Sequence, residues 1–413
     1  MPDLRPFAGT RYAADTKLED VVCPPYDIIS ADEHRRLYER HPNNAVRVEL
    51  PFSETPDEAE EERYKRAGQL FRRWLRDGVL VQDGEPALFV LRQDFRSRDG
   101  DRKHVVGVIG ALELEPLGAD SGVLPHERTM PGPVEDRLAL LRACPVNISP
   151  IYGIYSGRGS LSPYYDSLAH RPAVARVVDE HGTLHRLWVI RAPAEIEMLR
   201  AALRKQPLVI ADGHHRYETA LAYHREKDGA SGHHDAVMCL CVDADCEDIQ
   251  VLPYNRVFRS HVPVEDIEQR LSRFGARRLA ERDGLEALAE SPSDHPLLFV
   301  LPDGDVLIDV PDEAVTARVG ERAAAWRSLD VVALHEAVIP HVFPEGIDRL
   351  LFSSDPDGVV SLVRQGGWDG GVILRPLRPA QVIDVARSGE RVPQKASYFS
   401  PKAITGLVFR SLL

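Results

Sequence analysis

The stretch Leu208-Val209-Ile210-Ala211-Asp212-Gly213-His214-His215-Arg216-Tyr217-Glu218-Thr219-Ala220 decides the reading of this chain. An apolar run, Pro207 to Ala211, has the length and character of a buried strand. A glycine follows Asp212, at the point where the backbone must turn sharply. From Arg216 to Glu226 the pattern is helical. A strand, a tight turn and a helix in that order leave the first amides of the helix unpaired, with the positive end of the helix dipole behind them. Such an end gathers anions.

The side chains suit that use. Arg216 offers a fork of donors matched to phosphate or carboxylate. His214 and His215 exchange protons near neutral pH. Asp212 can hold a cation or orient a histidine. The plainer reading is that Asp212 caps the helix and the rest is solvated surface.

On either side of this turn the pattern alternates between strands and helices. Glu58 to Asp77 carries Tyr64, Ala67, Leu70, Phe71, Trp74 and Leu75 at helical spacing, and Gly78 stops it. Ala87 to Phe95 and Val105 to Glu115 read as strands joined by Arg96-Ser97-Arg98-Asp99-Gly100. Residues 116–150 form a long stretch without clear period, apart from a helix over Glu135 to Ala143; long loops of this kind often bind or catalyse. Further strands are expected at Ser149 to Tyr155, Ala173 to Asp179, Thr183 to Ile190 and Ala236 to Val242, with a helix at Ala194 to Arg204. Beyond Val264, helices (Val264 to Phe274, Trp326 to Ile339, Pro379 to Ser388) mix with short strands (Leu297 to Leu301, Val372 to Arg375). The order indicates an α/β fold with mixed α+β layers. Three subdomains are expected: residues 1–115, 116–260 and 261–413.

Bulk composition narrows the function. With 43% hydrophobic and 28% charged residues among 413, the chain is globular rather than disordered. A net charge of −13 works against nucleic acid and anionic membranes as partners. The N-terminus lacks the pattern of a secretion signal, and Val105 to Leu112 is far too short to span a bilayer. Five cysteines fit a reducing cytoplasm better than a disulfide framework. Cys239 and Cys241 alternate within an apolar strand and read as core residues, as does His335 on its apolar helix. Neither a P-loop nor the protein-kinase motif set is present.

Several longer motifs together are similar to those of the bacterial and archaeal family called domain of unknown function 1015. They are Val22-Cys23-Pro24-Pro25-Tyr26-Asp27-Ile28-Ile29, Asn44-Ala45-Val46-Arg47, His126-Glu127-Arg128-Thr129-Met130-Pro131-Gly132-Pro133 with Glu135-Asp136-Arg137, the Asp212 to Arg216 pentad, and Ser397-Tyr398-Phe399-Ser400-Pro401-Lys402 with Thr405-Gly406-Leu407-Val408-Phe409. The resemblance covers the whole chain. It departs at Pro253-Tyr254-Asn255-Arg256, where the family usually has Pro-Thr-His-Arg.

A weaker resemblance links Pro125-His126-Glu127 and the pentad to the ParB/sulfiredoxin superfamily and, within it, to the free serine kinases. It implies a ParB/sulfiredoxin-like core with a hairpin insertion over Ala173 to Ile190. It also implies a phosphotransferase whose acceptor is a small hydroxyl metabolite, free L-serine first, and whose donor is ATP, ADP or pyrophosphate with Mg²⁺. Phosphoryl transfer needs charge neutralisation, alignment and a proton acceptor. On this reading Glu127, Asp212, His214 and His215 are catalytic, and Asp212 is the metal ligand. Gly213, His214, His215, Arg216 and Thr219 hold phosphate, and Tyr26, Asp27, Asn44, Arg47, His126, Arg137 and Lys402 contact substrate. The same pocket also suits a nucleotide-binding regulator without turnover, or a phosphatase of a small phosphorylated metabolite. The sequence leaves the oligomeric state open.

Overall fold

The computed structural model describes residues 3–53, 55, 58–118, 121–227, 232–279, 284–393 and 395–413. They form two units. The first comprises Met1–Pro125, Thr129–Ile249 and Pro401–Leu413, and the second comprises His126–Arg128 and Gln250–Ser400. The first unit thus takes in the expected segment 1–115 and nearly all of 116–260, and regains the chain at 401–413.

The first unit is built on a mixed sheet. Its strands run in the order Val123–Pro125, Leu208–Asp212, Ile151–Tyr155, Ala236–Asp243, Arg102–Glu113, Leu88–Arg96, Leu184–Ile190 and Ala175–Val178, and Leu4–Arg5 pairs with Arg102–Glu113. Two pairings are parallel, Leu208–Asp212 with Val123–Pro125 and Ala236–Asp243 with Ile151–Tyr155. Ala236–Asp243 is buried along its whole length, as a central strand covered on both faces must be. Cys239 and Cys241 lie within it, both buried, as their alternation in an apolar run predicts. The helix His214–Glu226 packs Tyr217, Ala220 and Leu221 against Ile151, Leu208, Ile210 and Val237 of the sheet.

A second sheet of this unit joins distant parts of the chain in the order Leu80–Gln82, Gly9–Tyr12, Phe409–Ser411 and Val146–Asn147. The helix Glu60–Arg76 covers it, burying Tyr64, Ala67, Phe71 and Trp74 with Tyr12 and Phe409. Phe409 therefore ties the last stretch of chain into the N-terminal core. On the way there, Thr405 bridges to Cys23.

The second unit carries an antiparallel sheet ordered Arg277–Leu279, Gly304–Val310, His295–Leu301, Gly370–Ile373, Asn255–Arg259 and Arg349–Ser353. A two-stranded ribbon, Gln250–Pro253 with Ser397–Ser400, accompanies it. The single helix expected over Trp326 to Ile339 is broken into Ala324–Arg327, Asp330–Val332, a π-helical turn Ala333–Val338 and Ile339–Val342. His335 lies in the π turn and accepts from the buried Arg256 guanidinium at 3.0 Å. Asn255, at the departure from the family string, is fully buried, and its side-chain oxygen accepts from Leu374 N at 3.1 Å. The mixed α/β class expected from the sequence holds.

Candidate active site

Leu208–Asp212 and the helix His214–Glu226 meet at Gly213, whose φ of 87° lies in the left-handed region. A Cβ there would also come within 3.0 Å of the Arg216 guanidinium and of Ile151. Conformation and space both demand glycine. Gly213 occupies the N-cap position and no side chain caps the helix. The capping role open to Asp212 is therefore not the one it takes.

Its carboxylate binds two cations instead. Oδ2 accepts from Arg216 Nη2 at 2.7 Å, and Oδ1 accepts from Lys402 Nζ. The three side chains are 16%, 12% and 8% exposed for Asp212, Arg216 and Lys402. Burial works to raise the Asp212 pKa, but the charges of Lys402 and Arg216, with the Lys402 hydrogen bond and a smaller effect of His214, hold it well below the usual carboxylate range. Asp27 faces the same ammonium at 3.5 Å. Two carboxylates and two cations thus meet at a helix N-terminus, Asp212, Arg216 and Lys402 largely buried and Asp27 at the exposed edge.

Arg216 reaches further. Nη1 donates to Ser149 Oγ at 3.0 Å and to Pro150 O at 2.6 Å. Ser149 Oγ in turn donates to Glu49 Oε1 at 2.8 Å. Arg216 Nε is buried with no hydrogen-bond partner among the described residues. These groups wall a small cleft of ≈ 60 Å³ together with Tyr26, Arg137 and Thr219. The Arg137 guanidinium stacks over the Tyr26 ring at 4.4 Å and donates to Glu49 O at 2.7 Å. Burial pushes the Tyr26 hydroxyl up to about 12, partly offset by the charges of Arg216 and Arg137. The cleft is thus lined by a buried carboxylate, two guanidiniums and three hydroxyls, with room for something the size of a small polar head group.

Most residues expected at the site converge here. Asp212, Gly213, His214, His215, Arg216 and Thr219 lie on the turn and its helix, Asp27 and Lys402 join through the ion pairs, and Tyr26 and Arg137 line the cleft. His214 is buried. His215 Nε2 accepts from Met130 N at 3.1 Å, so Nδ1 carries the ring proton. Thr219 spends its hydroxyl on Val134 O at 3.3 Å.

Others are occupied elsewhere. Asn44 is fully buried; its amide donates to Asp20 O and Val22 O and accepts from Val46 N. Arg47 donates to Tyr38 O and His41 O and stacks on the Tyr38 ring at 4.4 Å. These two expected substrate contacts hold the backbone together instead. Arg142, a companion to Arg137 in the sequence, pairs on the surface with Glu226. His126 and Glu127 belong to the second unit. There His126 bonds Ser397 Oγ at 2.9 Å, and Glu127 accepts from Lys395 N at 3.0 Å. Glu49 and Ser149 were missed by the sequence reading. The stretch Val46-Arg47-Val48-Glu49-Leu50 alternates apolar and charged residues, and nothing in it singles out Glu49 from Arg47.

A model of the family described as "Protein of unknown function (DUF1015)" matches residues 4–332. This chain belongs to the DUF1015 family. Solved structures similar to this DUF1015 protein include a free serine kinase in complex with AMP, at 13% identity and a TM-score of 0.37, covering 71% of this chain and 93% of that one. SbnI with C-terminal truncation from Staphylococcus aureus has 13% identity and a TM-score of 0.38, covering 72% and 85%. A conserved hypothetical protein from Pyrococcus furiosus has 13% identity and a TM-score of 0.36, covering 72% and 92%. No curated protein matches the DUF1015 chain. Among the described residues, no helix is long and apolar enough to cross a membrane.

Proposed function

We propose that this protein is a phosphotransferase that moves a phosphoryl group to the hydroxyl of a small metabolite, with free L-serine as the first candidate. The observation that carries this reading is the buried ion cluster of Asp212, Arg216 and Lys402 at the glycine turn, beside a cleft walled by Tyr26, Glu49 and Arg137. An incoming phosphate competes with Asp212 for Arg216 and Lys402 and meets the positive end of the helix that starts at His214. The cleft supplies Glu49 for a substrate ammonium and Arg137 for its carboxylate.

Glu127 is the proposed proton acceptor for the hydroxyl. The resemblance to the free serine kinases assigns the same role to a glutamate in this segment.

Asp212 and Asp27 offer the hard oxygen donors that suit Mg²⁺, which usually takes one or two protein carboxylates and completes its shell with water and substrate phosphates. No group of three or more His, Cys, Asp or Glu ligands occurs among the described residues, so the fit is to an ion bound with the donor's phosphates. When bound, Mg²⁺ would neutralise phosphate charge.

The test is to incubate purified full-length protein with L-serine, Mg²⁺ and ATP, ADP or pyrophosphate in turn, and to assay phosphoserine. Product with one donor, abolished by Glu127→Gln while donor binding persists, supports the reading. No product with any donor overturns it. Nucleotide binding without product identifies a regulator, and phosphate release from phosphoserine identifies a phosphatase.

A further inference from the structure

Lys402 meets Asp212 from an irregular stretch of backbone, residues 401–404, with no helix or strand to aim its side chain. A glutamine holds its main chain. Gln93, on the strand Leu88–Arg96, is fully buried, and its Nε2 donates to Lys402 O at 2.9 Å. The same nitrogen lies 3.4 Å from Nδ1 of His185, its direct partner on the neighbouring strand Leu184–Ile190. His185 is also fully buried, and its Nε2 lies 2.9 Å from Asp179 Oδ2. Asp179 Oδ1 accepts from the amides of His181 and Thr183, each at 2.9 Å, which pins the carboxylate in its hairpin. All four residues belong to the first unit.

The two ends of this chain fix its protons. A main-chain carbonyl only accepts, so the Gln93 amide must turn its NH₂ toward Lys402 O. The second N–H of that group then faces His185 Nδ1, which must accept. The His185 ring proton therefore sits on Nε2 and is donated to Asp179. Burial works to raise the Asp179 pKa, but the hydrogen bonds from His185, Thr183 and His181 hold it below its ordinary value, as suits the acceptor end. Gln93 Oε1 is buried with no hydrogen-bond partner among the described residues. Leaving that acceptor unmade costs stability. The amide keeps this orientation because turning it over would set two oxygens against each other at Lys402.

We infer that Gln93 is a positioning residue for Lys402, and that Asp179 acts on Lys402 through the His185 tautomer; the consequence for phosphate binding rests on the phosphotransferase reading. Asp179→Asn keeps an acceptor for the two hairpin amides but turns an NH₂ toward His185 Nε2. The ring proton moves to Nδ1, the Gln93 amide turns over, and Lys402 O loses its donor. Gln93→Met removes the same donor directly.

The experiment gives full-length protein a short pulse of acetic anhydride and reads Lys402 by peptide mass spectrometry against Lys17, whose side chain is 71% exposed. Gln93→Met and Asp179→Asn should each raise Lys402 labelling about tenfold, the effect of losing one hydrogen bond. The double variant should go no higher, since both changes act through one amide. Maleimide labelling of the buried Cys239 should match the parent in every variant, which separates displaced Lys402 from general loosening. Additive effects in the double variant, Lys402 labelling unchanged by Asp179→Asn, or Cys239 labelling that rises in step would each overturn the inference. Phosphoserine formation is followed in parallel. Both single variants should lower kcat about tenfold with KM for L-serine unchanged. A raised KM with kcat intact would also overturn the inference. If the parent makes no phosphoserine, the phosphotransferase reading falls alone, and the labelling still decides whether Gln93 places Lys402.

Discussion

Arg216 Nη2 lies 2.7 Å from Asp212 Oδ2, a salt bridge that closes the strand-to-helix turn at Gly213, and Lys402 occupies the other oxygen of the same carboxylate. Removing the shared anion leaves two largely buried cations facing each other. Asp212→Asn is expected to lower stability by about 3 kcal/mol. Lys402→Met should cost less, because Arg216 still balances Asp212. Urea unfolding of the two variants side by side checks the order, and a larger loss for Lys402→Met refutes this account of the cluster.

Gly213→Ala forces a side chain into a left-handed conformation, at roughly 1–2 kcal/mol, and pushes against the Arg216 guanidinium. Stability and phosphate affinity are expected to fall together. Phosphate affinity equal to that of the parent protein would show that Arg216 is not a ligand.

Asn44→Ala removes one acceptor and two donors from buried backbone partners. A loss of about 2–4 kcal/mol is expected, with KM for the acceptor unchanged. A raised KM without loss of stability would return Asn44 to the substrate site.

Arg137→Met should raise KM for a carboxylate-bearing acceptor while leaving donor affinity intact, since the guanidinium lines the cleft beside Tyr26 and is remote in the bonding chain from Asp212. Steady-state kinetics against both substrates separates this from a general defect.

Burial, aided by Asp243, pushes the Glu247 carboxyl up to about 7, although a hydrogen bond from Val106 N opposes the shift. The folded pKa therefore lies above the unfolded value. The Glu247 contribution to stability is greatest below about 4.5 and declines until the folded group ionises near pH 7, a change of roughly 2–3 kcal/mol after allowing for solvent screening. Glu247→Gln keeps an acceptor for Val106 N and should flatten the slope. Urea midpoints at pH 5 and pH 8 measure it.

Periodicity located the elements with strong patterns. The helix read over Glu58 to Asp77 spans Glu60–Arg76, the strand read over Ala236 to Val242 spans Ala236–Asp243, and that read over Val105 to Glu115 starts earlier and ends earlier, at Arg102–Glu113. The helix of the glycine turn begins at His214, two residues earlier than the pattern suggested, because a glycine at the N-cap lets the helix start at once. Ala31–Arg40 escaped notice, since its sequence is mostly charged and only His34 and Leu37 are buried. The break in Trp326 to Ile339 was also hidden; an apolar run shows no period from which a π turn could be read. At the site, residue type revealed the turn and its cations. It could not tell Asn44, spent on backbone, from a ligand, nor find Glu49, because burial and partner choice are set by contacts far apart in sequence.

The strand Phe409–Ser411 and Lys402 arrive together from the far end of the polypeptide. During synthesis, Asp212 and Arg216 emerge long before the ammonium that completes their cluster. A ribosome that stalls before residue 402 leaves behind a protein in which Asp212 keeps Arg216 but lacks its second cation, and which is without one strand of the N-terminal layer. The buried ion cluster and the N-terminal core would be weakened in the same truncated product, which makes incomplete copies easy prey for proteases.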